Sequence, residues 1–168
     1  VADPAAVGDP DFHPDALAVG LVQSEDKPAV FSYRAQVVAI DGYLALAVLR
    51  IVSGLDGSAI NPSDLHLPFV PLGDSDLVHV GDHINIYGFP AIGGETITYT
   101  AGNISGFTSE AQVGDRAWLK TDATISGGNS GGLAANDAGA IIGVPTQASS
   151  GAGGDITDCR VIQDTNGD

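Results

Sequence analysis

The sequence predicts an all-β fold, a barrel or sandwich, on three observations. Its 168 residues include 23 glycines, yet only 16% are charged, which suits strands joined by tight turns better than amphipathic helices. Short apolar, β-branched runs are separated by Gly, Pro, Asp and Asn. No segment shows a helical period, and there is no internal repeat. With 43% hydrophobic residues the chain is able to bury a core. Its length fits one domain or two small lobes sharing an interface.

The elements follow in order. Residues 1–16, rich in Pro, Asp and Gly, read as loop. Leu17–Gln23 is a strand, and "SEDKPAVFS" is a turn followed by a short extended piece. Tyr33–Ile40 alternates and is β-branched, hence strand. Asp41-Gly42 signals a hairpin turn. Leu44–Ile51, apolar on both faces, reads as a buried strand. The stretch from Ser53 through the prolines to Asp76 is loop and irregular chain. Gly81-Asp82 turns into a strand over His83–Phe89. Thr96–Tyr99 alternates and runs on past Gly102, Asp115–Ala123 follows, and Gly139–Ala148 is a β-branched strand.

Charge narrows the partners. The net charge of -15, with six basic residues scattered along the chain, argues against nucleic acid and against anionic membrane surfaces. No apolar run is long enough to span a bilayer. The acidic surface reads first as a solubility device. The single cysteine, Cys159, has no internal partner for a disulfide. Methionine is absent, position 1 included, which reads as a processed product or a fragment.

One stretch carries chemistry: "TISGGNSGGLAAN", Thr124–Asn136. A serine hydroxyl attacks a carbonyl only when a base takes its proton and donors face the oxyanion that forms. Glycines beside Ser130 let the backbone adopt dihedrals that turn the amides of Gly128 and Ser130 toward one point, while Gly131 and Gly132 let the following strand pass close by. The same letters also suit a plain glycine-rich loop, since such a triad is recognised by geometry and not by a string.

"TDATISGGNSGGLAANDAGAIIGVPTQA" resembles the nucleophile segment of the trypsin-like serine proteases, closest to the bacterial branch that includes the HtrA/Deg proteases. "RAQVVAIDGYLALAVLRI" is similar to that family's strand carrying the triad aspartate, and "VGDHINIYGFPAIGGETITYTAGNISGF" resembles the opening strands of its second barrel. Together the three cover roughly residues 17 to 148. The resemblance implies a double six-stranded Greek-key barrel with the first barrel incomplete. Residues 1–72 would be the remainder of the first barrel, and residues 73–168 the second barrel and an acidic tail. It implies a serine endopeptidase acting on peptide or protein substrates through an acyl-enzyme. Ser130 would be the nucleophile and the Gly128 and Ser130 amides the oxyanion donors. An extracellular or periplasmic setting follows from the same likeness. Gly143–Thr146 would line the substrate groove and pair with peptide backbone. Ala123–Ser126 would wall the pocket, whose small Thr124 and Ser126 do not favour Arg or Lys.

The chain departs from the pattern at the other two triad positions. The aspartate falls on Ala45, which has no means to orient an imidazole. Asp41, taken along one strand, lies roughly 13 Å from that position and reads as a turn residue. The base should precede Ala45, and only His13 does, in a loop context unlike the family's. His66, His79 and His83 follow the aspartate strand and read as exposed or half-buried residues. The family commonly reads Ala-His-Val-Val where this chain opens "VADP", so the expected base lies just upstream of Val1 and the first strands with it. Open strand edges would then recruit a second copy into a homo-oligomer.

At the other end "DTNGD" sets Asp164, Asn166 and Asp168 at alternate positions, the first half of a calcium loop. Ca2+ is the ion it would take, although the reaction itself requires no cofactor. Three readings result. They are a serine endopeptidase domain with little or no activity in this chain, a non-catalytic protease-like module that binds peptides or partners, and an acidic β-rich or calcium-binding piece.

Overall fold

Asp41 shapes the first hairpin. Its carboxylate accepts the amides of Tyr43 and Leu44 at 2.9 and 3.0 Å, an Asx turn that reverses the chain. The computed structural model describes residues 17–91 and 95–146. On either side of that turn lie β2 (Val30–Asp41) and β3 (Leu46–Gly54), with β1 (Leu17–Leu21) on the far edge of β2. The loop spans four residues and pairs Asp41 with Leu46. Ala45 therefore lies in the turn, at φ 53, and not inside the strand where the pattern puts the aspartate. Asp41 pairs with Leu46 across the hairpin, so Asp41 and Ala45 are not spaced along one strand.

The chain then crosses to a second sheet through two 3-10 turns, Pro62–Asp64 and Ser75–Leu77. Asn61 and Asp74 cap them, each side chain accepting the amide two residues on. Pro71 and Gly73 bond on either side of Ile141, so the linker lies along the second sheet. Arg116 anchors it further, donating to the carbonyls of Ser75 and Val78 while its guanidinium stacks 3.7 Å above the Phe107 ring.

The second sheet holds β4 (His83–Gly88), β5 (Thr98–Glu110), β6 (Gly114–Thr121), β7 (Leu133–Ala135) and β8 (Ile141–Gly143) in the order β6-β5-β4-β7-β8. All its strand pairs are antiparallel. Alternation is clean on β4: Ile84 and Ile86 are buried, while His83 and Tyr87 face outward. Ile84, Ile86, Ile104, Ala123, Ala134 and Ile142 form the core, closed by Val78 from the linker. Among the described residues there is no α-helix, as the sequence predicts.

Two expectations change. The strand predicted over Leu44–Ile51 forms as Leu46–Gly54 but is not buried, since Val48 and Leu49 remain 59% and 44% exposed. Apolar residues on both faces produce burial only when both faces are covered, and on this strand Gly54 alone is buried. The strand predicted over Gly139–Ala148 pairs only at Ile141–Gly143, because Pro145 has no N–H for a ladder. The short β7 within the glycine-rich stretch was not predicted.

Candidate active site

Ser130 sits on the loop between β6 and β7, and its surroundings are built mostly from backbone. The loop is tied to the end of β4: Phe89 N–H donates to the Gly128 carbonyl and Ala91 N–H to the Gly127 carbonyl, at 3.3 and 3.1 Å. Asn129 N–H donates to the Ser126 carbonyl, Gly132 N–H to the Asn129 carbonyl, and Gly131 N–H to Pro145 across the groove. Among the described residues the amides of Gly128 and Ser130 have no hydrogen-bond partner. A trans peptide points its N–H opposite its C=O. With the carbonyls of Gly127 and Asn129 both engaged inside the loop, these two amides are directed away from those anchors.

Glycine is required at two of these positions. Gly128 sits at φ 102, and a Cβ there would run into the Phe89 carbonyl oxygen. Gly132 lies so close to the Tyr87 carbonyl that a Cβ would collide with it. Ser130 itself is exposed. Its neighbour Asn129 is only 3% exposed, and its Oδ1 has no hydrogen-bond partner. A buried unpaired acceptor costs about 1–3 kcal/mol, and its place beside the serine marks a local cost of the kind found at functional sites.

A groove of about 620 Å³ opens beside the serine, walled by Tyr87, Phe89, Ile97, Leu133, Ile141 and Val144. Of the segments expected to line a pocket, Val144 does so here, whereas Ala123 belongs to the core. The pattern His-Ile-Asn-Ile-Tyr on β4 was the signal for Tyr87, since alternation places it on the face opposite the core.

The remaining candidates do not gather around Ser130. His79 is exposed and lies 3.8 Å from Asp82, and His66 is exposed in the linker. His83 Nδ1 is 2.6 Å from Asp137 Oδ1, and Asn85 donates to the same oxygen at 3.0 Å. These two contacts, the His83 bond first, hold the Asp137 carboxyl below its usual range. Strand rise puts His83 about 16 Å along β4 from Gly88, so it does not serve Ser130. His13 and the Asp164, Asn166 and Asp168 tail lie outside the described residues, as does Cys159. No cluster of three metal-ligating side chains occurs among the described residues.

Residues 6–144 match the model of the trypsin-like peptidase domain family. The chain belongs to that family. A probable periplasmic serine endoprotease, DegP-like, from Chlamydia trachomatis is 36% identical over 126 residues, covering 74% of this chain and 23% of that protein. The serine endoprotease DegS of Escherichia coli is 32% identical over 114 residues, covering 68% of this chain and 29% of the relative. Among solved structures, an HtrA-type protease, AlgW with decapeptide, superposes at a TM-score of 0.59 with 34% identity, over 86% of this chain and 39% of that one. The serine endoprotease from Yersinia pestis gives 0.58 at 29% identity, over 80% of this chain and 40% of that one. The chain thus spans about a quarter of the length of its curated DegP-like relative. The fold is that of the trypsin-like barrels, on the HtrA branch.

Proposed function

We propose that this chain is a catalytic-domain segment of a serine endopeptidase acting outside the cytoplasm. Ser130 attacks the peptide carbonyl, and the amides of Gly128 and Ser130 hold the resulting oxyanion. The observation that carries this reading is the pair of unpartnered amides, of Gly128 and of the exposed Ser130 itself, in a loop whose Gly127 and Asn129 carbonyls are engaged. The DegP-like and DegS names and the decapeptide in the AlgW structure support it from the side of relatives. The base is supplied from outside the described residues, because the three described histidines lie elsewhere.

In this chain hydrolysis is slow or absent. Ala45 leaves any base without a carboxylate, and losing that acid costs about four orders of magnitude in trypsin-like enzymes. The missing carboxylate at Ala45 and the apolar groove beside Ser130 favour the second reading, a protease-like module that binds peptides without cutting them.

A fluorophosphonate probe followed by peptide mass spectrometry tests the assignment. The expected result is slow labelling confined to Ser130, lost in Ser130→Ala and in Gly128→Ala, whose Cβ would push the loop off Phe89. Label on another residue, or none after prolonged exposure, overturns the nucleophile assignment and leaves the binding module.

A further inference from the structure

The outer face of β4 carries more than the wall of a groove. His83, Asn85 and Tyr87 alternate with the buried Ile84 and Ile86, so all three lie on the face away from the core. Asp137, in the turn between β7 and β8, holds His83 and Asn85 on one carboxylate oxygen. The other end of the Asn85 amide is also engaged, its Oδ1 accepting the Tyr99 hydroxyl at 2.8 Å. An amide bonded at both ends has one orientation, with nitrogen toward the carboxylate and oxygen toward the phenol.

Tyr99 is the cross-strand partner of Tyr87, and their ring centroids are 5.1 Å apart at 44°. Tyr87 in turn pairs with Leu133 on its other side, and both line the groove beside Ser130. The line of contacts therefore runs from the β7–β8 turn to the groove without a gap. Tyr99 is half exposed and lies outside the groove lining, yet its hydroxyl is fixed. A tyrosine whose ring would otherwise rotate is held as a backstop behind the groove wall.

We infer that Tyr99, fixed by Asn85, is a positioning residue for Tyr87, and that this pair sets the width of the groove and hence the size of apolar side chain it admits. That the admitted group is a peptide side chain rests on the function proposed above. The inference concerns this chain's own polar face and needs no cleavage to be measured.

The test uses the full chain labelled with 15N and with 13C in its tyrosine rings. It is titrated with N-acetyl-leucine methylamide and with N-acetyl-phenylalanine methylamide. Amide shifts of Gly88, Leu133 and Val144 report occupancy. The wild-type ratio of affinities for the two ligands is the reference preference. Tyr99→Phe, which keeps the ring and removes only the hydroxyl, is expected to shift that preference toward the phenylalanine ligand by about threefold or more. Asn85→Ala should do the same, and the double variant should add nothing to either alone. The Tyr87 ring signals should move alike in both single variants, a signature that a general loss of stability would not give. An unchanged preference, additive effects, unmoved Tyr87 signals or no binding of either ligand overturns the inference. Labelling of Ser130 is scored on the unaltered chain, so the hydrolase reading and this one fail separately.

Discussion

The two sheets share a β-branched, alternating vocabulary, yet among the described residues only one of them encloses a core. The five-stranded sheet curls around Ile86 and Ile104, each 1% exposed. The three-stranded sheet contributes Ala35 as its one buried hydrophobic residue among those described, while Phe31, Ile40 and Val48 are 62%, 60% and 59% exposed. Strand formation is thus a local matter of β-branching and turn chemistry, whereas burial depends on what covers the strand. The difference also divides the charge. Residues 17–54 balance three acids with three bases, while residues 73–146 set eight acids against two. The three-stranded sheet is also the part of the described chain that least repels a second copy.

The largest effect should separate the sheets directly. Ile86→Ala is expected to lower stability by about 2–5 kcal/mol, the transfer term plus the cavity left in a closed core. Ile40→Ala, on the open sheet, should fall within about 0.5 kcal/mol. Urea unfolding of the two variants measures both, and comparable losses would mean that Ile40 is buried in solution.

Association sharpens that alternative. The three-stranded sheet presents β1 and β3 as edges along with its apolar faces, and such a surface is expected to pair with a second copy of the chain. Ile40→Lys combined with Val48→Lys should weaken self-association by about tenfold, which is 1.4 kcal/mol. Light scattering over a concentration series checks it, and a wild-type chain that stays monomeric throughout would break the comparison.

Legibility in the sequence followed the same division. The strand over His83–Phe89 and the Gly-Asn-Ser-Gly-Gly turn around Ser130 were legible, because both depend on neighbours within a few residues. Asp41 was legible as a turn residue for the same reason. That Ala45 falls in the turn was not, since that depends on a four-residue loop in place of a continuous strand. Burial of β3 was misjudged because apolar letters on both faces say that a strand wants covering and not that it is covered. The Asp137–Asn85–Tyr99 line was invisible because it joins three separate elements through one register. Asn129 gave no signal either, as an orphaned acceptor shows only once the loop has closed over it.

The smallest expected effect concerns the two carboxylates that, among the described residues, are held below their ordinary value of 3.8, one in each region. Ser58 hydrogen bonds lower Asp56 beyond the end of β3, and the His83 and Asn85 contacts lower Asp137 between β7 and β8. A carboxyl with a depressed folded pKa contributes stability above its unfolded value, and that contribution disappears as pH falls through the folded value. Both contributions should therefore be complete near pH 5 and fade below 3.8. Both groups are fully exposed, so solvent screens them and the shift in the urea midpoint will be slight. The regions still differ in what the carboxylate holds. Asp56→Asn should alter only the slope of stability against pH, because its hydrogen-bond partner Ser58 lies within its own loop. Asp137→Asn should alter that slope and also move the Tyr87 ring signals, because its partners lead to Tyr99. Ring signals that respond equally to both substitutions, or to neither, would show that the outer face of β4 is only a solvated surface.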